Sequence, residues 1–183
     1  MTGLAMAGCA VFGPPEVIPP SEEGFAVRGK LGVRTAADGF SSSFLWRHAA
    51  DTFEIELWGP MGQGRTRLEG RGGAITVHTA DGEVHQEADS ALAMQRWFGF
   101  HVPIDVLASW IQGRAAPDRS VASQELDTGG DLIALEQAGW ALAFSRYDDA
   151  EGGRRLPGRI IARRLDVRVT LIPAEWSFSS TFQ

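Results

Sequence analysis

The strongest constraint on this chain is an alternation in residues 25–34. Phe25, Val27, Leu31 and Val33 fall on one parity, while Arg28, Lys30 and Arg34 fall on the other. A period of two marks a strand with one buried and one wet face. The pattern then repeats. Phe44 and Trp46 share a face, Phe53, Ile55 and Leu57 alternate with Glu54 and Glu56, and residues 65–69 and 74–79 continue the run. Turns such as Asp38-Gly39 and Asp81-Gly82 separate these segments. Connections this short imply antiparallel neighbours. Strands return at about 120–126, 131–137, 139–147, 159–165 and 167–176. Some ten or eleven strands are predicted, with glycine (22 of 183 residues) supplying turns. A sheet of that width curls.

The period changes between about 89 and 113. Asp89 or Ser90 can cap a helix whose apolar residues are Ala91, Leu92, Met94 and Phe98, and Gly99 can end it. Pro103 stands where a first helical residue would, followed by Val106, Leu107, Trp110 and Ile111, with Gly113 as the stop. The prediction is a mainly β fold with one helical insertion, placed to cover an opening of the sheet. An apolar stripe of this kind packs as ordinary core or lines a greasy cavity, and composition does not choose between them.

Charge and composition exclude several function classes. The chain carries 17 basic and 23 acidic residues, a formal net charge of -6, so it lacks the basic character of a general nucleic-acid binder. One cysteine, Cys9, supports neither an internal disulfide framework nor a thiolate zinc site. His48, His78, His85 and His101 show no metal-ligand spacing; His101 and Asp105 straddle Pro103 and read as a helix-start contact. No nucleophile elbow or phosphate loop occurs. Asp148-Asp149 before Gly152-Gly153 reads as a solvated turn. No enzyme activity, cofactor or metal is expected, and the chain is expected to be a monomer.

The amino terminus carries a different signal. Met6-Ala7-Gly8-Cys9 resembles a bacterial lipobox, in which the cysteine is diacylated and becomes the mature terminus. The alternative is a chance cysteine in a terminal tail. Eight residues without Lys or Arg are too short for a signal peptide, so the true start is expected upstream of Met1. Residues 1–9 are then a signal-peptide remnant. Residues 10–23, with Pro14, Pro15, Pro19 and Pro20, form a linker reaching about 40 Å at roughly 3.1 Å per residue. Residues 24–183 form the folded domain. Ala10, in place of an aspartate after the cysteine, points to the outer membrane rather than inner-membrane retention.

Between two strands lies Gly59-Pro60-Met61-Gly62-Gln63-Gly64. Proline and three glycines make it a loop. Trp58, Pro60 and Met61 are apolar residues at or near its tip. Met61 either folds back onto the sheet or stands out as a tip that enters a membrane interface.

Taken in order, these pieces resemble the LolB family of outer-membrane lipoprotein receptors. The resemblance runs over about residues 24–176. It rests on Phe25 to Val33, Ser43-Phe44-Leu45-Trp46, Leu57-Trp58-Gly59-Pro60-Met61-Gly62 and Phe98-Gly99-Phe100-His101-Val102-Pro103. It continues through Leu107-Ala108-Ser109-Trp110-Ile111-Gln112-Gly113, Gln137-Ala138-Gly139-Trp140, Leu156-Pro157 and Trp176. The resemblance implies an open, unclosed antiparallel β-barrel with a helical lid over an apolar cavity. It implies a protein facing the periplasm, held by lipid at Cys9, that accepts acylated lipoproteins from the periplasmic carrier LolA and inserts them into the outer membrane without nucleotide. Trp46, Trp110, Trp140 and Trp176 match the family's recurring tryptophans, which support the cavity or its lid. Leu57, Leu92, Phe98, Leu107 and Ile111 join them as expected cavity and lid residues. Met61 falls where the family usually has leucine on the protruding loop linked to membrane insertion. The rival expectation is a lipid-anchored, lipocalin-like binding module for a small apolar ligand.

Overall fold

In the computed structural model, which describes residues 24–100 and 102–179, the alternating segments form one sheet. Its strands are β1 (Gly24–Arg34), β2 (Gly39–Ala49), β3 (Thr52–Trp58), β4 (Thr66–Arg71), β5 (Ala74–His78) and β6 (Val84–Glu87). After the helices α1 (Ser90–Phe98) and α2 (Ile104–Trp110) come β7 (Val121–Leu126), β8 (Leu132–Gln137), β9 (Trp140–Ala150), β10 (Arg154–Arg164) and β11 (Val167–Ser179). The order across the sheet is β6-β5-β4-β3-β2-β1-β11-β10-β9-β8-β7, antiparallel at every pair. The sheet is not closed: β6 and β7 are its two edges. The chain passes from one edge to the other through the two helices, so the insertion spans the gap between the edges.

The register defines two ends. Met61 lies in the β3–β4 connection, and the β1–β2, β8–β9 and β10–β11 turns lie at the same end of their strands. The β2–β3, β4–β5, β7–β8 and β9–β10 turns lie at the other. At this second end the rings of Phe25, Trp46, His48 and Trp176 close the interior, with Phe25 5.3 Å from Trp46 and 5.6 Å from Trp176. Trp176 also stacks on Phe178 at 5.7 Å.

The inward parity of the strands supplies the core. Phe25 and Val27 on β1 pack with Phe44, Leu135, Leu142, Phe144 and Ile160 from the facing parts of the sheet. A smaller cluster joins Leu68, Ile75 and Val77 to Ala93 and Met94 of α1. Gly29 is required where β11 bulges against β1, because a Cβ there would lie 2.3 Å from the carbonyl oxygen of Ile172.

Three local expectations differ from the structure. Asp148 and Asp149 are strand residues, paired with Leu156 and Arg155, and the turn is only Glu151–Gly153. The ladder runs this far because Arg155 is held between Asp131 and Asp149, each at 2.9 Å. The strand expected over 159–165 is the end of β10, and Leu165 lies in the turn beyond it. Pro103 precedes α2 as its cap residue instead of opening it, and Asp105 pairs with Arg119. His101 lies outside the described residues, as do Cys9 and the linker.

Candidate functional site

A cavity of about 130 Å³ lies between the sheet and the helical insertion. Every residue lining it is apolar. The strands contribute inward-parity positions such as Leu31, Val33, Ile55, Leu57, Val169 and Leu171. The insertion contributes Met94, Phe100, Val102, Pro103, Leu107, Trp110 and Ile111. The wall is therefore about two-thirds sheet and one-third insertion, with no titratable group in it.

The helices reach this position by different means. Asp89 caps α1 by accepting the backbone N–H of Leu92 at 3.2 Å. Ala93 and Met94 then bury against β4 and β5. In α2, Val106 and Trp110 point inward. Gln137 of β8 is 1% exposed and fixes the foot of this helix. Its Oε1 accepts the indole N–H of Trp110 and the backbone N–H of Ala116, both at 2.9 Å. Its Nε2 donates to the carbonyls of Ala116 and Arg119, also at 2.9 Å. All of its hydrogen-bonding capacity on these sides is met, which makes a buried amide tolerable here.

The sequence-predicted residues fall in distinct places. Trp46, Leu57, Leu107, Trp110, Ile111 and Trp140 line the cavity. Leu92 does not: it is 64% exposed, because α1 packs on the sheet through Ala93 and Met94 and so turns residue 92 outward. Trp176 is part of the ring cluster that closes the opposite end and is not in the cavity wall. Phe98 ends α1, and its side chain lies outside the description. The indole nitrogens of Trp46 and Trp140 are buried with no hydrogen-bond partner among the described residues.

The β3–β4 loop holds Met61 away from the sheet. Pro60–Gly62 forms one 3₁₀ turn, closed by the Gly62 N–H donating to the Gly59 carbonyl at 3.2 Å, and the Gly59 N–H donates to the Gln63 carbonyl at 2.8 Å across the base of the loop. Met61 adopts φ +60° and is 93% exposed, so it does not fold back onto the sheet. Trp58 stays at the base, with the Arg65 guanidinium 5.6 Å from its ring centre.

Sequence reasoning missed much of the cavity wall and the role of Gln137. The signal for the wall was present in the strand parity. Gln137 shares the parity of Leu135, but a lone glutamine at an inward position does not reveal what it binds.

Tyr147 lies outside the cavity and donates its hydroxyl to the Leu132 carbonyl at 2.7 Å. Burial, with Asp131 and Asp127 nearby, pushes this phenol up to about 12. Among the described residues no three His, Cys, Asp or Glu side chains converge on a point that could hold a metal.

Comparison with known proteins agrees with this architecture. The family model for outer membrane lipoprotein LolB matches residues 23–176. The outer-membrane lipoprotein LolB of Pseudomonas fluorescens is 33% identical over 93% of this chain and 90% of its own length. That of Stutzerimonas stutzeri is 32% identical over 94% and 90%. Among solved structures, a DUF1329 family protein from Desulfovibrio piger has a TM-score of 0.58 at 10% identity, covering 89% of this chain and 88% of its own. A LolA superfamily protein from Nitrosomonas europaea has a TM-score of 0.56 at 9% identity, covering 87% and 88%. At these identities the structures share the fold alone.

Proposed function

The chain belongs to the LolB family of outer-membrane lipoproteins, and from that premise we propose that it receives acylated lipoproteins from a LolA-type periplasmic carrier and delivers them to the outer membrane. In this reading Cys9 carries the lipid anchor, the protein faces the periplasm, and the cavity under the helical insertion takes the acyl chains. The observation that carries the reading is the wholly apolar wall, about a third of it built from an insertion that bridges the two sheet edges.

The energetics require such a shelter. A triacylated terminus has roughly 45 methylenes, and each costs about 0.8 kcal/mol to move into water. Release into the periplasm would cost tens of kcal/mol, so the chains must pass directly between apolar surfaces. Transfer then runs downhill by relative affinity and needs neither nucleotide nor a catalytic side chain. No single Ser, His or Asp is expected to be essential.

A volume of about 130 Å³ is room for on the order of ten water molecules. Three acyl chains exceed that several-fold. In this reading loading requires the helices to move off the sheet. The exposed Met61 tip would meet lipid and promote release.

The small cavity is also the observation that favours a second reading, a binding module for a small apolar ligand that fits without lid movement. Mixing the chain with lipoprotein-loaded carrier separates the two. Cargo that changes partner without nucleotide supports the receptor. Cargo that stays on the carrier, with a stoichiometric small ligand retained on this chain, supports the binding module.

A further inference from the structure

The β10–β11 turn sits at the same end of the sheet as the Met61 loop and carries a second apolar tip. Leu165 is 96% exposed and adopts φ +52°. A bulky side chain in the left-handed region is disfavoured, and an exposed leucine returns nothing to folding for it. Asn or Gly would suit the turn better on both counts.

Around this tip the outer face of the sheet is basic. Arg34 of β1 stands directly opposite Arg168 of β11, and Arg168 directly opposite Arg163 of β10. All three are exposed, and Arg164 is beside them. Like charges in directly opposed positions destabilise a sheet. None of these four arginines forms an ion pair among the described residues. The nearby carboxylates are engaged with backbone. Asp166 accepts the N–H of Ala36 at 3.3 Å, and Asp38 accepts that of Gly39 at 2.6 Å. The corner sets four guanidiniums against the carboxylates of Asp166 and of Asp38, which also lines the groove, and so stays net positive in a chain of net charge -6. Arg34 and Arg168 also line an open groove of about 820 Å³, with Thr35, Ser41 and Thr170 along it and Phe40, 43% exposed, at its edge.

We propose that this corner is a second membrane-contact site: Leu165 enters the lipid surface while Arg34, Arg168 and Arg163 bind anionic phospholipid headgroups in and beside the groove. An apolar tip flanked by guanidiniums matches the boundary between acyl chains and phosphates. A basic corner also orients an otherwise acidic protein against an anionic surface. Because Met61 and Leu165 lie at one end of the strands, a bilayer touching both fixes the orientation of the cavity, which one tip alone cannot do. The proposal rests on the reading that the chain works at a membrane, but its residues belong to neither the cavity nor the Met61 loop.

The test uses the full chain carrying Cys9→Ala, so that no acyl anchor contributes. Its partition is measured on phosphatidylcholine vesicles with and without phosphatidylglycerol. Leu165→Asn suits the turn geometry and should not lower Tm. It is expected to weaken binding to anionic vesicles about tenfold. Arg34→Gln and Arg168→Gln should each weaken it about fivefold and flatten its salt dependence, with little change on neutral vesicles. Wild-type partition by all three variants overturns the proposal. So does a loss confined to Met61→Glu, which leaves the tip reading of Met61 standing. Normal vesicle binding combined with failed uptake from the loaded carrier also overturns it, and reassigns the corner to an acidic protein partner. Failure of the receptor reading itself is seen separately, as absent cargo transfer by the unsubstituted chain.

Discussion

The indole N–H of Trp110 donates to Oε1 of Gln137 at 2.9 Å across a dry interior, joining the second helix to the eighth strand. It is a side-chain hydrogen bond between the lid and the sheet at a position where neither partner meets water. Gln137 also holds the backbone of Ala116 and Arg119, so one amide sets the foot of the lid.

Replacing Gln137 by Leu leaves the Trp110 and Ala116 N–H groups buried and unpaired and removes a donor from the carbonyls of Ala116 and Arg119, of which Ala116 keeps the Arg119 N–H at 3.4 Å. Each orphaned group costs about 1–3 kcal/mol. The expected loss is about 3 kcal/mol, which lowers Tm by roughly 6–12 °C in a domain of this size. Thermal unfolding followed by circular dichroism checks it.

Gly29→Ala is expected to destabilise by about 1–3 kcal/mol, since the new Cβ meets the Ile172 carbonyl at 2.3 Å. Gly32→Ala on the same strand has its nearest neighbour at 3.9 Å and serves as the matched control. Denaturant midpoints of the pair should differ by the full effect.

Met61→Glu should leave stability unchanged, because the side chain is 93% exposed. Uptake of cargo from a loaded carrier should be normal, and delivery to vesicles should be impaired. Normal delivery by this variant counts against the tip's role in release.

His48 sits against Phe25 and Trp46, and burial holds its imidazole below the usual histidine range. The unfolded chain therefore binds a proton that the folded chain resists. Stability from this group is complete above about pH 6.5 and falls as the pH drops below it. Tm measured between pH 7.5 and 5.5 should decline less in His48→Gln than in the parent.

Much of the fold was legible because strands announce themselves locally. The parity that marks Phe25, Val27, Leu31 and Val33 as one face also predicts which way they point. Helix faces were less legible. Residues 91, 92, 94 and 98 of the insertion are all apolar, and only contact with β4 and β5 turns Ala93 and Met94 inward and Leu92 outward. Trp176 was expected at the cavity because it matches a family tryptophan, but its place depends on Phe25 and Phe178 stacking at the closed end. The extension of β9 through Asp148 and Asp149 depends on Arg155, which is distant from Asp131 in sequence. The exposure of Leu165 was hidden for a similar reason: its alternation continues β10, and only the pairing of Arg164 with Val167 turns the chain there.

Entry of cargo acyl chains into the cavity beneath the insertion is the step on which the receptor function depends. It is tested most directly with a lipoprotein carrying photoreactive acyl chains, loaded on its carrier, mixed with the full chain and irradiated. Adducts are expected on Leu57, Leu107, Trp110 and Trp140, all in the cavity wall. Adducts confined to the outer face of the sheet, with cargo still delivered, would contradict it.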